Sequence, residues 1–453
     1  MRTLIKGGRI LDPAQDLDAR ADLVIEDGRI AVITKEPVQA DRTIDASGLM
    51  VTPGFVDIHM HEDPFDKETG ELRQDISRSM LLMGVTTAIG GNCGDNYADP
   101  RDYLDYIEQN GCCTNLGLLA GHSWIRQQSG GTDKYAPVDD ETLDRMEALA
   151  KDCLDRGCMG VSFGVKYIPG TRTEEMTRLA SLCVPEGRLV TSHVRNDVSR
   201  VFAAVKEMDD LAKATGCRVQ ISHIGSMGGY GQMEQLLKDV ERYKAEGTDI
   251  LCDCYPYTAF STLIGTTTYD PEYFEEYHAP YSAILMCTGK YAGQRCTKEI
   301  YDWERANAPQ DITVGFLMKE EDVDMALRHP LVVLGSDGLR SGAQGHPRAA
   351  GAFPRFIAEY IRPGKVGLME GIAKMTSRPA ERLGLAGKGN LKPGSDADIV
   401  LFDYENIRDT ATFEQPSLVP EGIAAVLLGG EIAAQNGKVV NAHLGRPVRF
   451  GAK

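Results

Sequence analysis

From about residue 80 to residue 340, short apolar runs alternate with amphipathic segments. A chain with that rhythm builds parallel strands joined by crossover helices. One unit is easy to read: Leu143, Met146, Leu149, Ala150 and Leu154 recur at helical spacing after an N-cap at Asp139 or Asp140. Gly157 ends that helix, and Met159–Val165 follows as a buried strand. Val198, Val201, Phe202, Val205, Met208 and Leu211 repeat the pattern, closing at Gly216 before Val219–His223. The candidate strands are Val56–His61, Thr86–Gly90, Leu116–Gly121, Met159–Val165, Leu189–His193, Val219–His223, Asp249–Tyr255 and Leu331–Gly335. Eight is the number that an α/β chain needs for a (β/α)₈ barrel of the TIM type.

The two ends of the chain read differently. Leu4–Leu11, Asp22–Ile33, Ala397–Phe402, Ala424–Leu428 and Glu431–Val440 are strand-like pieces broken by Gly, Asp and Asn. They predict a small β-sandwich-like domain built from residues 1–52 and 389–453, with the barrel spanning 53–388. Residues 265–325, rich in Tyr, Glu and Asp, form a long excursion before the last strand, and its length predicts an insertion or lid.

Composition narrows the function. With 49 Lys and Arg against 66 Asp and Glu, the net charge of -17 repels phosphate backbones and anionic headgroups, so neither nucleic acid nor membrane is expected as a partner. The Met1–Arg9 start carries no signal-peptide apolar core, and no run approaches the roughly 20 apolar residues of a membrane helix. Eleven cysteines without disulfide-framework spacing suit a cytoplasmic location. A small-molecule substrate is the expected partner, and the sequence leaves a homo-oligomer open.

The chemistry sits at the strand ends. His59 and His61 are two residues apart, so both imidazoles project to one side of the first strand. Taken alone, the pair suits neighbour-bonded structural histidines better than ligands. Cys93, His193, His223 and Asp337 each end or follow another predicted strand, however, and a barrel brings such ends to a single mouth. A thiolate, neutral imidazoles and a carboxylate suit Zn²⁺ or a similar transition metal, whereas Mg²⁺ and Ca²⁺ prefer oxygen throughout. Six groups allow one metal position or two.

Pro53–His61, the strand-end His193 and His223, Asp337 in Gly335-Ser-Asp-Gly338, and the tail Gly389–Val400 together resemble the amidohydrolase superfamily. Gly91-Asn-Cys-Gly94, Tyr255-Pro-Tyr257 and His346–Arg355 more narrowly resemble its D-aminoacylase (N-acyl-D-amino-acid deacylase) branch. The resemblance implies a tightly bound zinc at Cys93, His193 and His223, with His59 and His61 framing a second, weaker metal position. It implies Asp337 as the catalytic carboxylate that takes a proton from water and returns it to the leaving nitrogen. Arg348 and Tyr257 are then expected to grip the substrate carboxylate, with Tyr167 and His346 in the same pocket. The expected reaction is hydrolysis of a linear amide, the deacylation of an N-acyl-D-amino acid.

Two departures from that branch matter. A lysine normally stands two residues beyond the second strand histidine, where this chain has Gly225. Lys166 ends the fourth strand, where the hydantoinases and dihydroorotases that the chain also resembles use a carboxylated lysine to bridge two metals. Three readings stand for Lys166: a metal bridge, a replacement for the missing positive charge, or an outward-pointing side chain. His122, at another strand end, reads as a pocket residue or as support for a ligand, and Cys252 and Cys254 read as core. The rival functions are a cyclic-amide hydrolase of hydantoinase or dihydroorotase type and a non-catalytic scaffold.

Overall fold

A computed structural model describes residues 1–451. Eight parallel strands, laid down as nine segments, form the barrel in two arcs. One arc is Phe55–Asp57, Val85–Gly90 and Asn115–Leu118; the other is Ala120–Gly121, Gly160–Gly164, Leu189–His193, Arg218–Ile221, Ile250–Cys254 and Val332–Leu334. Asn115–Leu118 and Ala120–Gly121 are one barrel strand interrupted at Leu119, and Met159 N donates to Leu118 O (2.7 Å) across that seam. The other seam closes where Asp337 N donates to His59 O (2.7 Å) and His61 N to Gly338 O (3.0 Å). Barrel closure therefore runs through the residues singled out for chemistry.

The helices follow from the sequence pattern. Asp140–Asp155 begins where the Asp139 side chain accepts from Thr142 N (2.8 Å), and it buries Leu143, Met146, Ala150, Cys153 and Leu154. Burial of each large apolar side chain contributes roughly 1.5–3 kcal/mol, so that face holds the helix to the barrel. Gly216, at φ 82°, ends Val201–Thr215 in the left-handed conformation that glycine adopts without a Cβ penalty. Among the described residues no helix is long and apolar enough to cross a membrane.

The terminal segments share one nine-stranded sheet, joined where Ile399–Phe402 runs antiparallel to Met50–Pro53. Ile5, Ile10, Leu23, Ile25, Val51, Ile399 and Leu401 form its core. The expected strand Asp22–Ile33 is two strands, Leu17–Glu26 and Arg29–Thr34, because Asp27 (φ 48°) and Gly28 (φ 79°) make a left-handed hairpin turn. The tail does not end in this sheet. Cys112 and Leu116 form bridges with Gly445 and Pro447, so residues 445–450 lie along the barrel.

The excursion begins earlier than its composition indicated. Phe260–Leu263, Ile312–Gly315 and Ile284–Met286 make a separate three-stranded antiparallel sheet. Glu320–Arg328, by contrast, packs against Met233–Ala245 and Val332–Leu334 as part of the barrel shell.

Candidate metal centre and active site

His59, Cys93, His223 and Asp337 each offer a donor atom within 4.8 Å of the others, and all four are buried. Cys93 Sγ lies 3.2 Å from His223 Nε2 and 3.5 Å from His59 Nε2. Asp337 Oδ1 lies 3.2 Å from His61 Nε2 and 3.4 Å from His59 Nε2. The His193 ring packs 4.5 Å from that of His223, yet both of its nitrogens lack a hydrogen-bond partner. Buried polar atoms are rarely left without partners, and a metal ion would satisfy this one. The residues present therefore fit a soft, transition-metal-type ion.

Local backbone forces this convergence. Cys93 (φ 55°), His223 (φ 33°) and Asp337 (φ 51°) all adopt left-handed conformations, three of only nine non-glycine residues that do so among the described residues. Such residues cost on the order of 1–3 kcal/mol each and persist where surrounding structure dictates them. For Cys93 that structure is visible: Glu62 accepts from Gly91 N (2.7 Å) and Tyr97 N (3.0 Å), and Gly94 N donates to Ser162 Oγ (3.0 Å). A Cβ on Gly164 would lie 2.0 Å from Cys93 O, so only glycine lets the turn approach the fourth strand.

The imidazoles are oriented from behind. His59 Nδ1 donates to Asp253 Oδ1 (3.0 Å), leaving Nε2 to face Cys93 and Asp337, while Ser226 Oγ meets His223 Nδ1 at 2.9 Å. Partners of this kind fix the tautomer and ring direction of ligating histidines. Asp253 also accepts from His223 N (2.8 Å) and Gln220 Nε2 (3.2 Å). The sequence reading missed Asp253, although the alternation that turns Cys252 and Cys254 to one face turns Asp253 to the other. It also missed Asp57, which accepts from Ser336 N (2.9 Å) and His59 N (3.1 Å) and so ties the first strand to the last.

Charge follows geometry. Burial opposes ionisation of Cys93, but His223 and His59 hold its thiol well below the usual range. Burial likewise opposes the Asp337 carboxylate, but Arg348 and the histidines around it hold the group well below the ordinary carboxylate range. Burial, followed by His223, lowers His193 and so favours the neutral ring, which has one nitrogen lone pair to offer a metal. Burial would lower His61 too, but Asp337 and Cys93 raise it to about 9.

A cavity of about 510 Å³ opens over the cluster, a volume suited to a small molecule. His61, Cys93, His193, His223 and Asp337 line its buried end, and Tyr167, whose ring is 4.6 Å from His193, lines a wall. Exposed Thr132, Pro309 and Gln310 lie at the outer rim, so residues of the 265–325 excursion contribute to the enclosure.

Other candidates stand away from the cavity. Arg348 is fully buried behind Ser261 and Asp337, with Nη1 2.9 Å from Asp337 Oδ2 and Nη2 3.4 Å from Ser261 O. Tyr257, expected beside it on a substrate carboxylate, instead donates its hydroxyl to Asp409 Oδ2 (2.6 Å) and does not line the cavity. His346 accepts from Arg348 N (3.0 Å) through Nδ1 and donates through Nε2 to Ala259 O (3.0 Å), which makes it a support for Arg348. His122 pairs with Glu175 Oε1 (2.7 Å), also away from the cavity. Lys166 Nζ is 2.6 Å from Asp197 Oδ1, and Tyr277 bonds the other oxygen of the same carboxylate. Lys166 is fully buried in that ion pair and does not line the cavity. Replacing it with methionine should cost about 3–5 kcal/mol, because the buried Asp197 loses its cation. Denaturant unfolding would register that loss, and an unchanged metal content would separate Lys166 from the metal position.

The amidohydrolase family profile matches residues 42–245 and 262–434, most of the chain. The chain belongs to the amidohydrolase family. This amidohydrolase is 32% identical to the N-acyl-D-glutamate deacylase of Alcaligenes xylosoxydans xylosoxydans, over 94% of its own length and 92% of the relative's. It is 31% identical to the D-aminoacylase of the same organism, over 98% and 96%. In structure it resembles the N-acyl-D-glutamate deacylase of Bordetella bronchiseptica, solved with zinc and a phosphonate mimic of the tetrahedral intermediate. The TM-score is 0.88, with 30% identity and 99% of both chains covered.

Proposed function

We propose that this amidohydrolase removes the acyl group from an N-acyl-D-amino acid, with zinc as its metal. The carrying observation is the meeting of Cys93 Sγ, His223 Nε2 and the partnerless His193 beside Asp337 at the buried end of a small-molecule cavity. The likeness to two deacylases at 31–32% identity supports the substrate class and supplies its handedness. Cys93, His193 and His223 would hold the tighter ion, and His59 and His61 would frame a second position. Zinc supplies Lewis acidity that polarises an amide carbonyl and makes water nucleophilic near neutral pH.

The protein does the rest. Asp337, held ionised, accepts the proton released from water and delivers it to the departing nitrogen, without which an amine anion would have to leave. Arg348, fully buried behind Asp337 with Nη1 2.9 Å from its Oδ2 and outside the cavity lining, holds that carboxylate ionised and in place. The expected grip of Arg348 on a substrate carboxylate is therefore not what this arrangement favours. Tyr167 packs beside His193 and excludes water from that side. Eleven free, buried cysteines support a cytoplasmic location.

Amine release from paired N-acetyl-D- and N-acetyl-L-amino acids tests the reading, with hydantoin and dihydroorotate as ring controls. Turnover of the D series with little on the others is the expected result. Ring opening with both linear series inert would give the site to the cyclic-amide reading, and no turnover without stoichiometric zinc would leave a scaffold.

A further inference from the structure

Asp409 belongs to the terminal domain, on the loop between Ile399–Phe402 and Ile423–Leu428, yet its side chain is only 5% exposed because it is inserted against the barrel. It accepts the Tyr257 hydroxyl (2.6 Å) and, on its other oxygen, Ala411 N (2.8 Å) of its own loop. The helix Arg348–Phe356 leaves room for this contact: a Cβ on Gly351 would lie 2.1 Å from Asp409 Oδ1 and 2.6 Å from Tyr257 Oη. Glycine weakens a helix interior relative to alanine, and here it admits a carboxylate and a phenol. Asp409 itself does not line the cavity.

Three contacts connect Tyr257 to the reaction centre. The His346 ring stands between Tyr257 (centroids 5.1 Å apart, planes at 86°) and Phe413 (5.1 Å, 79°), and Phe413 lies on the same loop as Asp409. With Nε2 committed to Ala259 O, His346 Nδ1 accepts from Arg348 N (3.0 Å) and fixes the base of that arginine. Arg348 then lies over the Tyr255 ring, 4.5 Å from its centroid, and sets Nη1 2.9 Å from Asp337 Oδ2. The other oxygen of Asp337 faces His59 and His61. A displacement of about 1 Å passed down such a line can cost about 10²-fold in rate, because proton transfer needs the carboxylate within hydrogen-bond reach.

Resting on the deacylase reading, we propose that Asp409 is a positioning residue for Asp337: through Tyr257, His346 and Arg348 it fixes the direction of the catalytic carboxylate. The terminal domain is thereby a working part of the active site, and Tyr257 serves that line of support in place of a substrate carboxylate.

Zinc-loaded wild type, Asp409→Ala, Asp409→Asn and Tyr257→Phe, compared on the N-acetyl-D-amino acid that wild type turns over fastest, test the assignment. Asp409→Ala should lower kcat about 2- to 30-fold, the span of energies passed through contiguous packing, with KM and zinc content near those of wild type. Asp409→Asn keeps an oxygen for the Tyr257 hydroxyl and should restore most of the loss. The double variant Asp409→Ala/Tyr257→Phe should be no slower than the slower single variant, because both changes remove one hydrogen bond. An unchanged kcat, a raised KM at wild-type kcat, or losses that multiply in the double variant overturns the assignment. Denaturant unfolding reads the same line without turnover. Asp409 and Asp337 share no hydrogen bond or ion pair among the described residues, so unconnected sites would give additive midpoint shifts for Asp409→Ala and Asp337→Asn. A double variant shifted by less than the sum sustains the role of Asp409 even if every amide proves inert, an outcome that would sink the deacylase reading alone. Additive shifts overturn the role whatever the rates.

Discussion

Cys93→Ala protein is expected to emerge from exhaustive dialysis with little or no bound zinc, and to lose amide hydrolysis in parallel. Removing mere supporting partners of metal ligands costs 10- to 100-fold in affinity, so removing a thiolate should cost at least about 100-fold. The fold should survive, because the Cys93 turn is held by Glu62 through Gly91 N and Tyr97 N and does not depend on the sulfur. Metal analysis of both proteins, with far-UV circular dichroism as the control, decides the matter. If the variant keeps one equivalent of zinc bound as tightly as wild type does, the metal does not lie where the thiolate and the imidazoles meet.

Asp337→Asn is expected to lower kcat about 10²- to 10⁴-fold, the range spanned by a positioned general acid–base group, while zinc content stays near that of wild type. The change keeps size and shape but leaves an amide that cannot take up water's proton. A second effect accompanies the first. Arg348 is fully buried, and its Nη1 is 2.9 Å from Asp337 Oδ2, so the neutral variant strands a guanidinium. Loss of one partner of a buried pair costs about 3–5 kcal/mol, which denaturant unfolding would resolve. The double variant Asp337→Asn/Arg348→Met should recover much of that stability and none of the activity. Recovery of activity with stability would show that Asp337 acts only by holding the arginine.

The barrel was legible because its signal is periodic: helical spacing such as that from Leu143 to Leu154 appears in the sequence without reference to any distant residue. The convergence of His59, Cys93, His223 and Asp337 was legible for a topological reason, since strand ends in a closed parallel barrel have only one place to go. What escaped were pairings between distant segments. Tyr257 looked free for a ligand because Asp409 belongs to a loop of the terminal domain, 152 residues away. Lys166 kept three readings because nothing in the sequence announces Asp197, and a one-residue shift in strand register reverses the direction of its side chain. The hairpin at Asp27-Gly28 was read through because Asp-Gly inside an alternating apolar run carries both strand and turn signals.

The pairing of Met50–Pro53 with Ile399–Phe402 has a bearing on how this protein is made. Met50–Pro53 leads directly into Phe55–Asp57 and then His59, so the segment delivering the first histidines is anchored to a stretch translated some 350 residues later. Contacts that far apart in sequence form slowly, since a large loop must close before they return any free energy. A nascent chain still on the ribosome would carry His59 and His61 on a strand not yet anchored, whatever local contacts hold the Cys93 turn. Competence to capture metal should thus arrive late and abruptly, with the half-synthesised barrel protected from premature loading by its own connectivity.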